Sequence, residues 1–331
     1  MRVRLSSPLL LFACFGLLHA GAFAQTRIEP VEGGGTFTIE DPGVTDLSGI
    51  TWTAGDRFWA VSDKRKALVP VTLQVDAESG RITWGEIGAP VPVESSLSDF
   101  EGIAWVPKQQ RLYVSGEGGQ GLRSFTTAGV PGPRVGLAAI FAHCRRNLSL
   151  ESLTYDVGKR CFWTANEEAL PEDGPVASPT EGSPVRLHCC DESGKALRQY
   201  AWRTEPAPMR FGGAGSGVSD LCALPNGDLL VLERGFGRLG LQCRIYRADL
   251  REATDTRLVK GLATPDAKFT AATKVPLFQQ ATAFTNYEGM TLGPALSNGW
   301  RSLILIADSN GASQHSFLAL RVRWDAPRAK P

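Results

Sequence analysis

The chain is most informative at first for what it lacks. Its 331 residues include only four histidines and three methionines, and the formal net charge is +1. No basic block stands out, so a nucleic-acid surface is not expected. No C-x-x-C spacing accompanies the histidines, which argues against a zinc site. There is no G-x-S-x-G elbow; Gly213-Ala214-Gly215-Ser216-Gly217 has the wrong register. The Gly-rich stretch 212–217 has no following helix and lysine, which excludes a phosphate-binding loop and leaves a linker between units. After residue 24 no apolar run is long enough to cross a bilayer. Against these absences stand 36 glycines and 21 prolines in a chain that is 43% hydrophobic and 21% charged. That balance is globular and suits an all-β protein.

The N-terminus reads as an export signal. Arg2 and Arg4 precede the apolar run 9–18, and Ala22-Phe23-Ala24 is an A-x-A cleavage site. A rival lipoprotein reading rests on Leu11-Phe12-Ala13-Cys14, but it leaves a very short apolar region. Removal of residues 1–24 predicts a periplasmic or secreted protein. Six cysteines then remain: Cys144, Cys161, Cys189, Cys190, Cys222 and Cys243. An even count in an exported chain suggests disulfides. The expected pairs are Cys222 with Cys243 and Cys161 with Cys189 or Cys190, on what should be neighbouring strands. Cys144 takes the remaining partner.

The chain is organised by repetition. Asp99-Phe100-Glu101-Gly102-Ile103-Ala104-Trp105 leads through a polar break to Leu112-Tyr113-Val114-Ser115-Gly116-Glu117. The same pattern recurs near Ser48, Glu151, Ser219 and Glu288, at a period of about 50 residues. Each copy is a strand, a turn such as Pro225-Asn226-Gly227-Asp228, and a second strand. Helical repeats fail on the Gly, Pro and β-branched content. The prediction is a single β-propeller of five or six four-stranded blades, a sixth being able to hide in 240–284. The expected layout is a signal peptide at 1–24, a lead-in at 25–35, the propeller at 36–325 and a tail at 326–331. Thr36–Ile39 should close the ring by pairing into the last blade. Outer strands are expected at Leu68–Val75 and Arg81–Ile87, and at Gly121–Thr127 and Val135–Phe141. The long loop from Ala169 to Pro184 should lie at the same end as Glu167 and Glu168.

Equivalent positions in a propeller converge on its central channel. The first strands bring Ser48, Glu101, Glu151, Ser219 and Glu288 to one such position. The second strands end on Asp63, Glu117, Glu167, Glu233 and Asp308. Asp46, Asp99 and Asp220 suit a structural role, accepting backbone N–H bonds between blades. The glutamates suit it less well. A ring of like charges needs neutralising, by a hard divalent cation held through oxygen, with calcium expected, or by Lys64, Arg123, Arg146 and Arg234. Trp52, Trp105 and Trp163 are read as blade packing. Of the histidines left after residue 24 (His143, His188 and His315), none has an obvious Ser and acid partner.

Taken together, Asp99-Phe100-Glu101-Gly102-Ile103, the segment Ser149–Tyr155, Ala165-Asn166-Glu167, Gly217–Leu221, Leu232-Glu233-Arg234 and Asn286–Met290 resemble the phytase-like family described as having esterase-like activity of phytase. The resemblance covers nearly all of the chain after residue 24. It implies a propeller rich in recurring carboxylates.

The expected function is hydrolysis of a small anionic phosphoester, mono- or diester, by a monomer. Glu101, Glu151, Glu167 and Glu288 would hold calcium. Arg146 and Arg234 would grip the phosphate, and Glu117 or Glu233 would accept the proton of the attacking water. Two other readings remain: a lactonase or esterase propeller with mixed Glu, Asn and Asp ligands, for which Asn166 and Asn286 are candidates, and a non-catalytic periplasmic binding propeller.

Overall fold

The computed structural model describes residues 25–325, apart from 42, 63, 98, 117–120, 208, 210–214, 238–239 and 283–284. The expected signal peptide, the tail after 325, Asp63 and Glu117 lie outside the described residues. The chain opens with two short strands, β1 (Arg27–Pro30) and β2 (Thr36–Glu40). Blade 1 comprises β3 (Leu47–Ala54), β4 (Arg57–Ser62), β5 (Ala67–Val75) and β6 (Ile82–Ile87), with β7 (Val91–Pro92) added to β5. Blade 2 comprises β8 (Phe100–Val106), β9 (Arg111–Gly116), β10 (Gly121–Phe125) and β11 (Pro131–Gly136). Blade 3 comprises β12 (Thr154–Asp156), β13 (Cys161–Ala165), β14 (Pro184–Asp191) and β15 (Ala196–Arg203). Blade 4 comprises β16 (Ser216–Ala223), β17 (Leu229–Gly237), β18 (Gly240–Asp249) and β19 (Thr273–Thr282). Blade 5 comprises β20 (Asn286–Ala295), β21 (Arg301–Asp308) and β22 (Gln314–Arg323).

The ring therefore has five blades. The stretch 240–284 holds no sixth: its two ends, β18 and β19, are the outer strands of blade 4, and 250–272 connects them. Closure is by the N-terminus. β2 pairs with β22 from Thr36 opposite Leu318 to Glu40 opposite Gln314. β1 continues the same edge from Arg27 opposite Arg323 to Pro30 opposite Leu320, so most of the expected lead-in belongs to the fold. Gly35 joins the two segments, because a Cβ there would stand 2.1 Å from the carbonyl oxygen of Ala319. A second departure from expectation lies after β11, where residues 139–143 form a 3-10 turn instead of continuing a strand.

The strands are apolar on both faces because each blade packs between two others. Alternate residues go to opposite neighbours. On β4, Phe58 and Ala60 join the core shared with blade 5, while Val61 joins the core shared with blade 2. On β17, Leu230 and Leu232 face blade 5, and Leu229 and Val231 face blade 3. Phe58, Phe100, Phe162 and Phe317 are each fully buried, and each such side chain contributes roughly 1.5–3 kcal/mol. The five first strands, β3, β8, β12, β16 and β20, contact one another around the axis.

The expected disulfides do not form: none of the six described cysteines is in a disulfide. Cys222 and Cys243 are not on adjacent strands. β17 lies between them, with Cys222 opposite Leu230 and Cys243 opposite Arg234. Two strand spacings plus four residues along the strand is on the order of 15 Å, far beyond a disulfide's reach. Cys161 and Cys189 do lie on neighbouring strands of blade 3 but two residues out of register, Cys161 opposite Asp191 and Cys189 opposite Trp163. There the Cys189 thiol hydrogen-bonds the Cys161 sulfur and draws its pKa down.

Candidate functional site

Every inner strand carries one extra residue at the same place. Leu47 and Ile50 pair with Ser62 and Ala60; Phe100 and Ile103 pair with Gly116 and Val114. Val218 and Asp220 pair with Glu233 and Leu232; Tyr287 and Gly289 pair with Ala307 and Ile306. In blade 3, Leu150 bridges Asn166 and Thr154 pairs with Trp163, again with one residue in excess. The bulges contain Ser48, Glu101, Ser219 and Glu288, with Glu151 in the corresponding gap. A bulge breaks the strict alternation of the strand and re-aims the residue it carries. This is how a strand buried on both faces presents a carboxylate.

One residue further along is a buried floor made of Gly49, Gly102, Ser152, Asp220 and Gly289. A Cβ on Gly49 would lie 2.2 Å from the Glu101 carbonyl oxygen, and one on Gly289 would lie 2.5 Å from that of Ser48. Only glycine allows backbones this close. Asp220, 3% exposed, ties three blades together. Its Oδ1 accepts the N–H of Leu221 at 2.8 Å and of Leu153 at 3.3 Å, and its Oδ2 accepts that of Met290 at 2.6 Å. Burial pushes its pKa well above the usual carboxylate range, against the pull of those three donors.

Above that floor, Arg234 is the centre of the site. Its Nε and Nη2 donate to Glu167 Oε1 at 3.1 and 2.7 Å, and its Nη1 donates to Glu288 Oε1. The three residues come from blades 4, 3 and 5. Burial alone would lower the Arg234 pKa, but the charges of Glu167, Glu288 and Glu151 hold it well above its ordinary value. Glu167 is itself clamped: its N–H donates to Ser149 O at 2.8 Å, its carbonyl accepts the N–H of Val218 at 3.1 Å, and its side chain rests on Gly217. Asn286 Nδ2 donates to Glu288 Oε1 at 2.6 Å. Two buried oxygens, Glu167 Oε2 and Asn286 Oδ1, have no hydrogen-bond partner. Unpartnered buried acceptors are costly and mark where a cation or a donor would be accommodated.

The structure thus joins Glu151, Glu167, Glu288 and Arg234, with Glu101 at the matching bulge of β8. Among the described residues no three His, Cys, Asp or Glu side chains stand in the geometry of a formed metal site. Arg234 already serves as counter-cation between Glu167 and Glu288. Glu233 is not part of this group. It points to the opposite face of β17, accepting from Trp202 Nε1 at 2.6 Å and Glu205 N at 3.0 Å and pairing with Lys274 at 2.7 Å. Burial raises its pKa, with Lys274 opposing. Period-two alternation is the reason: neighbours 233 and 234 cannot face the same way. Arg146 is exposed on the turn that leads into Ser149. Asn166 is structural, its Nδ2 donating to Glu168 O and its Oδ1 accepting the N–H of Arg186, at 2.7 and 2.9 Å.

The neighbouring Glu168 has a role that the sequence did not disclose. Its two oxygens accept the N–H groups of Ala177 at 2.9 Å and Gly215 at 3.1 Å, which fastens the long loop of blade 3 to the entry of blade 4. Asp46 also proves structural, accepting the N–H of Gly311 at 2.6 Å.

Solved structures with a related outline include a nidogen/laminin complex, at 8% identity and TM-score 0.40, covering 87% of this chain and 91% of that one. The PQQ-bound aldose sugar dehydrogenase of Streptomyces coelicolor is 15% identical, with TM-score 0.39 and coverage of 89% and 100%. A streptogramin B lyase is 11% identical, with TM-score 0.35 and coverage of 91% and 98%. At these values they say nothing about chemistry. No curated protein matches the chain. The family model described as phytase-like, esterase-like activity of phytase, matches residues 42–311, and the chain belongs to that family.

Proposed function

We propose that this protein is an exported, monomeric hydrolase of small phosphoesters, mono- or diesters, acting at the carboxylate cluster around Arg234 with calcium as its cofactor. The observation that carries the reading is a pair of buried oxygens, Glu167 Oε2 and Asn286 Oδ1, that have no hydrogen-bond partner. Beside them, Glu151, Glu167 and Glu288 act together on one Arg234. All-oxygen donors of this kind suit a hard cation. Glu167 and Asn286 would hold it, with Glu101, Glu151 and Glu288 around them. Bound there, calcium would supply positive charge for an anionic ester and a more acidic water.

The chain's own residues do the positioning. Arg234 fixes the Glu167 and Glu288 carboxylates in place and keeps their mutual repulsion tolerable. Asn286 orients Glu288 from its second side. Below the cluster, Asp220 ties blades 3, 4 and 5 together and so fixes the strands that carry it. A carboxylate of the cluster left without metal, Glu151 or Glu101, takes the proton of the attacking water; Glu233, neutralised by Lys274 on the other face of its strand, is no longer a candidate. Arg146 on the adjoining turn meets the anionic substrate.

The test is a phosphoester panel run on the mature protein with calcium and with excess chelator, alongside E167Q and E288Q. Activity lost together with metal content in folded variants supports the reading. Full activity in chelator, or no turnover on any phosphoester while calcium is bound, overturns it.

A further inference from the structure

Outside the channel, blade 3 carries a cavity of about 530 Å³, within the range of small-molecule sites. None of its walls belongs to the mouth. They come from the 3-10 turn at 139–143, from Glu172 on the long loop, from β14 and β15, and from 257–260. The floor contains a donor whose orientation can be derived. Arg186 Nη1 donates to Gln199 Oε1 at 2.6 Å, which turns the Gln199 amide so that Nε2 faces His188 Nδ1 at 3.3 Å. Arg186 is itself held by Asp173 at 2.6 Å through both Nε and Nη2. An amide nitrogen only donates, so Nδ1 must accept and the imidazole proton must sit on Nε2. That N–H is buried and has no partner. The ring stays uncharged, because burial, then Arg186 and Arg257, push its pKa down to about 4.

At the opening stand Arg257, offset by Asp255, together with Lys260 and the apolar side chain of Leu258, 96% exposed. The opposite wall has Glu172, whose Oε1 pairs with His143 while Oε2 is buried without a partner. The cavity thus offers one neutral donor at its floor, positive charge at its rim, one unpartnered acceptor and apolar sides from Ala138, Ala139 and Ile140. We propose that this cavity binds a small carboxylate with an apolar body and a hydroxyl group, its carboxylate received by His188 Nε2–H and the rim cations and its hydroxyl by Glu172. Such a ligand satisfies both orphaned groups at once.

The test uses 4-hydroxyphenylacetate as probe on the full mature chain, with binding by calorimetry and the His188 tautomer by nitrogen NMR. Expected are an Nε2–H tautomer, saturable binding with Kd below about 1 mM, and weaker binding of the uncharged 4-hydroxyphenylacetamide. H188F keeps the ring and should lose about tenfold in affinity, the effect of one ordinary hydrogen bond. K260Q, at an exposed position, should weaken binding about threefold, as expected for a rim charge, and it serves where H188F does not fold. No saturation by about 10 mM probe, an Nδ1–H tautomer, or affinities unchanged in the folded variants overturn the proposal.

Discussion

The two ends of the central channel are built from the same repeat and have opposite characters. At the end where the inner strands begin, the bulge position brings Glu151 and Glu288 to Arg234 and carries Glu101 on β8. Three residues later, the same strands carry Thr51, Ala104, Thr154, Cys222 and Thr291, which line a 420 Å³ bowl with Trp52 and Trp105. There the polar atoms are used between blades. Thr51 Oγ1 accepts the N–H of Trp105, Thr291 Oγ1 that of Trp52, and Thr154 Oγ1 that of Ala223, at 3.1, 3.1 and 3.2 Å. The Cys222 sulfur takes the corresponding N–H of Leu292. One end laces the ring with its polar groups satisfied; the other gathers charge and leaves two buried oxygens unpartnered. The difference separates polar residues that hold a fold from polar residues kept for a ligand.

That contrast can be broken most severely at Arg234. R234M leaves the Glu167 and Glu288 carboxylates buried without their cation, and should lower stability by about 3–5 kcal/mol in denaturant titration. A loss under about 1 kcal/mol would mean that Arg234 does not neutralise the cluster. Asp220 lies between the two ends. D220N replaces one acceptor oxygen by a donor that faces a backbone N–H, and should cost about 2–3 kcal/mol. Calcium addresses one end alone. It should raise the melting temperature of the wild type, each tenfold excess over Kd contributing about 1.4 kcal/mol, and have no such effect on E167Q. At the laced end, T51V, T154V and T291V should each cost about 1 kcal/mol and leave calcium binding unchanged. The smallest effect is expected for C222T, within about 0.5 kcal/mol of wild type, because a hydroxyl can take the bond that the thiol takes. A large loss there would restore some other role to Cys222.

Much of the fold was legible because hairpin turns and period-two alternation are local. Gly227, at φ 90°, makes the turn between β16 and β17 that Asn226-Gly227-Asp228 announces. Thr36–Ile39 was recognisable as the closing strand because a propeller must end its ring somewhere. The number of blades was not legible, since β18 and β19 are separated by 23 residues of irregular chain, 250–272. The Cys222–Cys243 pair was misjudged because proximity was inferred from unit membership, while strand order and register decide it. Glu233 was misplaced for a related reason. Val218 opposite Glu233 corresponds to Leu150 opposite Asn166, so Glu233 matches Asn166, and Arg234 takes the place that Glu167 holds in blade 3.

By itself, then, the sequence determined the repeat, the all-β propeller and the recurrence of carboxylates at one position of three of the five inner strands. These follow from short-range patterns of turn residues and apolar alternation. Only the tertiary structure decided that Arg234 of blade 4 reaches Glu167 of blade 3 and Glu288 of blade 5, that Asp220 ties blades 3, 4 and 5 together, and that Arg186 and Gln199 set the tautomer of His188. Each joins residues that are distant along the chain or held by several strands at once, and a pattern along one strand does not encode which side chains meet when five strands close around an axis.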